Sequence, residues 1–194
     1  MTDFTFDKPK TALLIADFYR EMMSTLPHAI DREVIPKTQS LQQAAREAEI
    51  LICYSATVFR AGYIEVSERN KVFSQRKASG QAAITDPTQV IHEAVQPIDG
   101  EVVVGKHRVN ALYGTDLDMI LRANGTETII ILGYATSGVV LSTTRYAADC
   151  DYRIIIVEDC CVDSDAEVHN FLMHKIFPRQ AEVVQSADVI KALR

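Results

Sequence analysis

The chain has 194 residues, and its 20 Lys and Arg against 26 Asp and Glu give a formal net charge of −6. This acidity, with no Lys/Arg cluster, argues against nucleic acid as the main partner. The length suits a single domain over residues 1–194, and no apolar run reaches the ~18 residues of a membrane helix. The segment MTDFTFDKPK lacks the apolar stretch of a secretory signal, and four Cys are too few for a disulfide scaffold. We therefore expect a cytoplasmic protein with reduced thiols.

Short apolar runs recur along the chain, and each is followed by a helical pattern. Continuous rather than alternating apolar runs are typical of strands that are covered on both faces. Strands that alternate with helices predict a parallel sheet with right-handed crossovers. The expected fold is a three-layer α/β sandwich, Rossmann-like, around a six-stranded parallel doubly wound sheet. The predicted strands are Thr11–Ala16, Glu49–Tyr54, Glu101–Val104, Thr128–Leu132, Arg153–Val157 and Glu182–Val184.

Helical patterns fill most of the intervals between these runs. Thr115 and Asp118 have the spacing of a capping box, and Asn124-Gly125 is a typical helix end. The stretch Phe59–Gln96 is less regular, and we interpret it as an insertion with a short helix near Asp86–Val95. The other predicted helices are Pro36–Ala48, Thr115–Ala123, Gly138–Cys150, Asp165–Phe177 and Ala187–Leu193.

Polar groups stand at three predicted strand ends, where doubly wound sheets bind their ligands. Asp17 follows the first strand, Lys106 the third, and the turn Gly133–Gly138 the fourth. If these strands flank the point where the strand order reverses, the three converge on one pocket. A Lys beside a partly buried Asp sets up acid–base chemistry, and the N–H groups of the turn suit an oxyanion or a carboxylate. Each alone also fits a plainer role as a helix cap, a surface Lys or an ordinary loop.

Three segments resemble the isochorismatase-like hydrolases, also called cysteine hydrolases. They are ALLIADF at Ala12–Phe18, GKHRVNALYGTDLDMILRANG at Gly105–Gly125 and ILGYATSGVVLSTTRYAAD at Ile131–Asp149. The second is similar to the family's K-x-R-x-S-A-F-x-G-T-x-L block. Here Asn110 takes the Ser place and Tyr113 comes one residue after the aromatic position. The third is similar to G-x-x-T-x-x-C-V-x-x-T-x-R-x-A.

The resemblance implies that Asp17 is the general base or acid and that Lys106 is its cationic partner. The family nucleophile is a Cys at the seventh position of the third block, which is Val139 here, and Val cannot attack a carbonyl. Some family members that hydrolyse isochorismate also lack this Cys and have Gly there, and they cleave a vinyl ether through the Asp and water. The resemblance further implies a cis peptide between Tyr134 and Ala135, with oxyanion donors at the N–H groups of Ala135 and Val139.

Metal binding has little support in this sequence. Nicotinamidases of the family use His residues after the second strand, and Ser55–Arg60 contains none, so we expect no metal and no cofactor. His169 and His174 lie five residues apart on a predicted helix, a spacing that does not share a face. His107, next to Lys106, either reaches the pocket or lies on the surface.

Aromatic and basic residues near the strand ends are candidates for substrate contacts. Arg60 could bind a substrate carboxylate bidentately, or it could be a surface or interface residue. The flanking tyrosines line the pocket or simply pack. The predicted substrate-binding residues are Tyr19, Phe59, Arg60, Tyr113, Tyr134 and Ser137.

Other nucleophiles are weaker alternatives. Ser137 or Thr136 on the turn would need a base, and only the Asp/Lys pair is in prospect. Cys160 and Cys161 come at the end of the fifth predicted strand, where a buried structural Cys is the commoner role.

The sequence therefore favours an isochorismatase-like hydrolase that acts on a small, carboxylated molecule. Asp17 and Lys106 would cleave a C–O or C–N bond by acid–base chemistry without the usual Cys. The alternative is a family member that has lost catalysis and binds a metabolite or a protein partner. Because the family is commonly oligomeric, we expect a homo-oligomer, a dimer or a tetramer.

Overall fold

The sheet has six parallel strands, as predicted. The computed structural model describes residues 4–194, so the first three residues of MTDFTFDKPK lie outside the described range. The strands run side by side in the order β3-β2-β1-β4-β5-β6. Their bounds are β1 Thr11–Ala16, β2 Leu51–Thr57, β3 Val102–Lys106, β4 Thr128–Tyr134, β5 Arg153–Val162 and β6 Glu182–Val184.

Helices cover both faces of this sheet, which makes the predicted three-layer α/β fold. Helices α3 and α8 pack on each other and on β5, and α6 also packs on β5. No helix within residues 4–194 is long and apolar enough to span a bilayer. The helices are α1 Arg20–Thr25, α2 Pro27–Asp31, α3 Val34–Glu47, α4 Lys71–Ala78, α5 Leu117–Ala123, α6 Leu141–Asp149, α7 Ala166–Phe171 and α8 Ser186–Leu193.

The two central strands form the middle of the core. Every residue of β1 is buried, and so is every residue of β4 except the last. This burial explains the continuous apolar runs in the sequence, because a strand between two helical layers has no face left for water. Removing that surface from water supplies about 25 cal/mol per Å² of apolar area and is the main force that holds the layers together.

The direction in which successive strands are added to the sheet reverses at β1. Strand β1 pairs with β2 on one side and with β4 on the other, and Ala16 lies opposite Gly133. A Cβ atom on Gly133 would lie 2.4 Å from the carbonyl oxygen of Ala16. Only glycine fits at this close approach, so the carboxyl ends of the two strands lie close together next to Asp17. The topological switch point, where such sheets bind ligands, therefore lies at this pair of strand ends.

Four strands extend further than the sequence predicts, and β4 is one of them, since it continues past Leu132 to Tyr134. Strands β2 and β3 are paired out to Thr57 and Lys106, and β5 continues to Val162, opposite Tyr134. The apolar runs end earlier because polar side chains begin, but the ladder is made by backbone groups and does not depend on them. Lys106 is thus the last residue of β3 rather than a loop residue beyond it.

The helix predictions need several corrections. Helices α1, α2 and α4 were not predicted, and the expected helix near Asp86–Val95 consists of two short 3₁₀ turns, Pro87–Val90 and Glu93–Val95. The predicted capping box of α5 is wrong, since the Asp118 carboxylate binds Arg122 and the hydroxyl of Tyr152. The predicted end of α5 is correct, because Gly125 adopts a left-handed φ of 66° directly after it.

Candidate active site

A buried ion pair lies at the carboxyl end of the central strands. The Lys106 Nζ atom is 2.7 Å from Asp17 Oδ2, and the two side chains are 1% and 7% exposed. Asp17 follows β1 directly, and its backbone N–H donates to the carbonyl of Ser55, which continues the ladder with β2. The structure thus brings together the first two residues that the sequence analysis singled out.

Lys106 reaches Asp17 across an intervening strand. The sequence analysis made convergence conditional on the first, third and fourth strands flanking the switch point, but β3 lies outside β2 and does not pair with β1. The long Lys side chain closes this gap by passing over Thr57, whose Oγ1 accepts a hydrogen bond from Nζ at 2.7 Å. The carbonyl of Arg108 accepts another at 3.2 Å. With Asp17, these give all three ammonium hydrogens a partner.

Asp17 has a strained backbone, and its carboxylate is held by Lys106 and Tyr19. Its φ of 55° lies in the left-handed region, which costs a non-glycine residue about 1 kcal/mol or more and is a recurrent feature of functional sites. The hydroxyl of Tyr19 donates to Asp17 Oδ1 at 2.9 Å and accepts from the N–H of Thr57 at 3.0 Å. The carboxylate orientation is therefore fixed by two side chains, those of Lys106 and Tyr19.

The electrostatics of Asp17 reflect two opposing effects. Burial raises the pKa of Asp17 above its ordinary value, and the Lys106 ammonium and the Tyr19 hydroxyl partly oppose that rise. Burial is the larger effect, because a carboxylate that loses its water is destabilised more than one ion pair restores. An Asp with a raised pKa and a fixed orientation is suited to accept and release a proton.

The turn after β4 has the predicted peptide geometry. The Tyr134–Ala135 bond is cis, and Thr136–Val140 forms a single π turn that leads into α6. The Ser137 side chain points to solvent, and its backbone N–H donates to Asp163 Oδ2 at 2.7 Å. Tyr134 is half-buried, which raises the pKa of its hydroxyl.

A histidine lies behind this turn and was not foreseen. His169 is fully buried, and its Nδ1 lies 2.8 Å from Thr136 Oγ1. Its Nε2 is 3.7 Å from Glu158 Oε1, and the Arg32 guanidinium binds the same carboxylate at 3.0 Å. The Thr136 hydroxyl therefore has a nearby base, which the sequence analysis did not find because His169 follows Thr136 by 33 residues.

The segment after Lys106 docks on the start of α6. The side-chain amide of Asn110 donates to the carbonyl of Ser142 at 3.0 Å, and the N–H of Ala111 donates to Thr143 Oγ1 at 3.0 Å. The oxygen of the Asn110 amide accepts from the N–H groups of Leu112 and Tyr113. These bonds join the loop that follows Lys106 to the first turn of α6, next to the turn that carries Val139, whose side chain is 2% exposed.

The three buried cysteines do not offer an activated thiolate. Cys160 and Cys161 are buried within β5 rather than beyond its end. Burial raises the pKa of the Cys160 thiol to about 12 and raises that of Cys161 as well. Burial likewise raises the pKa of the Cys53 thiol to about 12. Such thiols stay protonated and are poor nucleophiles at neutral pH.

The remaining predicted site residues lie around the insertion. Phe59 is 1% exposed and packs with Tyr63 and Phe73 in a separate apolar cluster. The Arg60 side chain is 61% exposed and ion-pairs with Glu65 at 3.5 Å. His107 Nδ1 is 2.7 Å from the carbonyl of Val58, and Tyr113 is 57% exposed. Within residues 4–194, no group of three or more His, Cys, Asp or Glu is arranged to hold a metal ion.

Comparison with known proteins identifies the family. A family model described as the isochorismatase domain matches residues 11–188. The chain belongs to the isochorismatase family. Among curated isochorismatase family proteins, YwoC of Bacillus subtilis, which is uncharacterised, is 30% identical over 179 residues, 92% of each chain. The structure of an isochorismatase family protein from Burkholderia thailandensis has a TM-score of 0.80, with 28% identity and 97% of each chain covered.

Two other relatives match over part of their length. YecD of Escherichia coli, an uncharacterised isochorismatase family protein, is 36% identical over 100 residues, 52% of this chain and 53% of YecD. Maleamate amidohydrolase of Pseudomonas putida is 31% identical over 109 residues, 56% of this chain and 51% of that enzyme. In these two alignments the chain spans about half the length of the relative. A cysteine hydrolase structure from Pseudomonas syringae has a TM-score of 0.87 at 23% identity, with 98% and 95% covered, and shows the shared fold.

Substitution of Lys106 tests how much the buried ion pair matters for the free energy of unfolding. Replacement of Lys106 by Met leaves the Asp17 carboxylate without a cation, and we expect a loss of about 3–5 kcal/mol near neutral pH. The loss shrinks as the pH falls through the raised pKa of Asp17, because a protonated carboxyl needs no partner. Urea unfolding of wild type and K106M across that range measures it.

The double variant D17N/K106M is the matched control for this prediction. It removes both charges, so we expect it to be more stable than K106M alone near neutral pH. A K106M penalty that is the same at every pH, or a double variant less stable than K106M, would show that the pair does not carry the charges assigned to it.

Proposed function

We propose that the protein is a hydrolase that cleaves a C–N or C–O bond in a small, carboxylated molecule. Asp17 is the proton-transferring group, Lys106 is its cationic partner, and water is the nucleophile. The single observation that carries this proposal is the buried 2.7 Å contact between Lys106 Nζ and Asp17 Oδ2. A buried ion pair is costly to maintain for stability alone, and it lies at the switch point where this fold binds ligands.

The proton transfer follows from the properties of the two side chains. Burial makes Asp17 a stronger base than an exposed carboxylate, and the ammonium of Lys106 keeps it ionised until a proton arrives. Asp17 takes a proton from the attacking water as the new C–O bond forms. It returns that proton to the leaving nitrogen of an amide as the C–N bond breaks. With a vinyl ether, protonated Asp17 instead gives its proton to the methylene carbon, water adds to the resulting oxocarbenium carbon and returns a proton to Asp17, and the hemiketal then releases the alcohol. Atoms and charges balance without a covalent intermediate.

The turn after β4 would stabilise the oxygen that gains charge. The proposed donors are the backbone N–H groups of Ala135, which precedes the π turn Thr136–Val140, and of Val139, which lies within it. Preformed hydrogen-bond donors of this kind stabilise the oxyanion in other acyl-transfer sites. Asp163 fixes the neighbouring N–H of Ser137, and the Thr136–His169 contact holds the turn from behind. These contacts support the proposed role because they hold the turn in one conformation.

Position 139 decides which route is open. A thioester route needs a thiolate, and Val139 has no nucleophilic atom, while the buried cysteines have raised pKa values. Direct attack by water needs only a base and an oxyanion site. Of the two bond types, the C–N bond is favoured by the relative named maleamate amidohydrolase, whose name describes an amide substrate that carries a carboxylate.

Substitution of Asp17 tests the proposal. In a panel of small carboxylated amides and enolpyruvyl ethers, followed by release of ammonia or pyruvate, we expect wild type to turn over at least one compound. D17N removes the base and is expected to lower kcat by at least about 100-fold, the lower range for general acid–base groups. D159N is the control: it changes a carboxylate elsewhere on β5, which accepts a hydrogen bond from the backbone N–H of Ser186, and it should keep activity. Unchanged turnover in a folded D17N would refute the assignment.

The second candidate function is binding without catalysis, and the observation in its favour is the apolar, buried side chain at position 139. Substitution of Val139 by Cys separates the two. We expect V139C to hydrolyse carbamoyl amides or nicotinamide through a thiol next to an intact Asp17–Lys106 pair, whereas the adjacent buried V140C should not. A wild type that is silent on all amides and vinyl ethers, yet is stabilised thermally by one of them, would favour the binding role.

A further inference from the structure

A cavity of about 440 Å³ is lined in part by Tyr19, the residue that contacts Asp17 of the buried ion pair. Small-molecule sites commonly have about 300–1,000 Å³. The cavity lies between α1, α4 and the segment 81–90, and Tyr19, Arg76, Ile84 and Val90 are among the residues that line it. Tyr19 connects it to the ion pair, because the Tyr19 hydroxyl lies 2.9 Å from Asp17 Oδ1. A molecule in this cavity is thus one side chain away from Asp17.

Arg76 brings an unneutralised charge to this cavity. It lies one helical turn after Phe73 on α4, and its guanidinium carbon lies 5.7 Å from the centre of the Phe59 ring. Its Nε atom is buried and has no hydrogen-bond partner within residues 4–194. A buried charged donor without a partner is unfavourable, so a ligand that supplies an acceptor is favoured there.

The other charged residues of this region do not neutralise Arg76. Arg20 also lines the cavity, but Glu93 Oε2 binds it at 2.9 Å. Glu21 also lines the cavity, but its side chain is exposed, and no carboxylate in the described part of the chain lies within 4.0 Å of the Arg76 guanidinium. Arg60, the residue that the sequence suggested for a carboxylate, is paired with Glu65 and does not line the cavity.

We propose that Arg76 is the carboxylate anchor of the substrate site and that the cavity over Tyr19 is where the substrate lies. A guanidinium offers a planar fork that matches a carboxylate, and the Phe59 ring behind it limits how the fork can turn. With its carboxylate on Arg76, a short substrate extends across Tyr19 toward Asp17. This inference rests on the proposed hydrolase function and names the chemical class of its substrate: small anions with a carboxylate at the end remote from the scissile bond.

Calorimetry with two probes tests the anchor without any turnover. Succinate carries carboxylates at neutral pH, and succinamide has the same skeleton without charge. We expect wild type to bind succinate at least tenfold more tightly than succinamide, and R76Q to lose at least tenfold in succinate affinity. K77Q removes an exposed charge from the next position of the same helix and should bind like wild type. If a substrate is found, R76Q should raise KM more than it lowers kcat.

The same measurement defines what would overturn the proposal. Equal binding of the two probes by wild type, no succinate binding, full affinity in R76Q or a loss in R60Q each contradicts it. In the unmodified protein, the ¹⁵N resonance of the Arg76 Nε should shift on addition of succinate, which keeps the test valid if R76Q fails to fold. Binding does not need Asp17, so D17N should retain it. Failure of the anchor is therefore distinguishable from failure of the hydrolase proposal.

Discussion

The buried contact between Asp17 and Lys106 is the constraint on which the rest of the site depends. It joins the end of β1 to the end of β3 across β2, so the register of three strands is fixed around it. Because a buried charge without its partner is strongly destabilising, the surrounding groups must hold both side chains at once. Thr57 and the carbonyl of Arg108 accept the other two hydrogen bonds of the Lys106 ammonium, and the Tyr19 hydroxyl donates one to the Asp17 carboxylate.

The sequence predicts the sheet and the position of the pair well, and for a physical reason. Strands covered on both faces must be continuously apolar, so their number, order of appearance and parallel direction can be read directly. The residues at their carboxyl ends then follow from the general rule for such sheets. The order of the strands in the sheet is harder to predict from sequence, because helices cover all the strands alike. The sequence analysis therefore left the strand order open, and the observed order shows that the Lys106 side chain spans β2.

The residues that the sequence analysis missed are set by contacts between distant segments. Thr57 was placed in a loop because the apolar run ended at Tyr54, although the backbone ladder continues to Thr57. His169 meets Thr136 only through the tertiary fold. Arg76 lies in the irregular insertion, where no periodic pattern predicted α4, and its missing partner can be seen only in three dimensions. Chemistry carried by strand ends is thus predictable, whereas chemistry carried by an insertion is not.

The pKa of Asp17 tests the central claim most directly. Carbon-13 NMR of protein labelled at the aspartate carboxyl carbons, with the Asp17 signal assigned by its absence in D17N, follows its titration. The account predicts a pKa above the ordinary value of 3.8 in wild type, since burial outweighs the ion pair, and a further rise in K106M. An Asp17 that titrates at or below its ordinary value, with no response to loss of the Lys106 ammonium, would contradict the account.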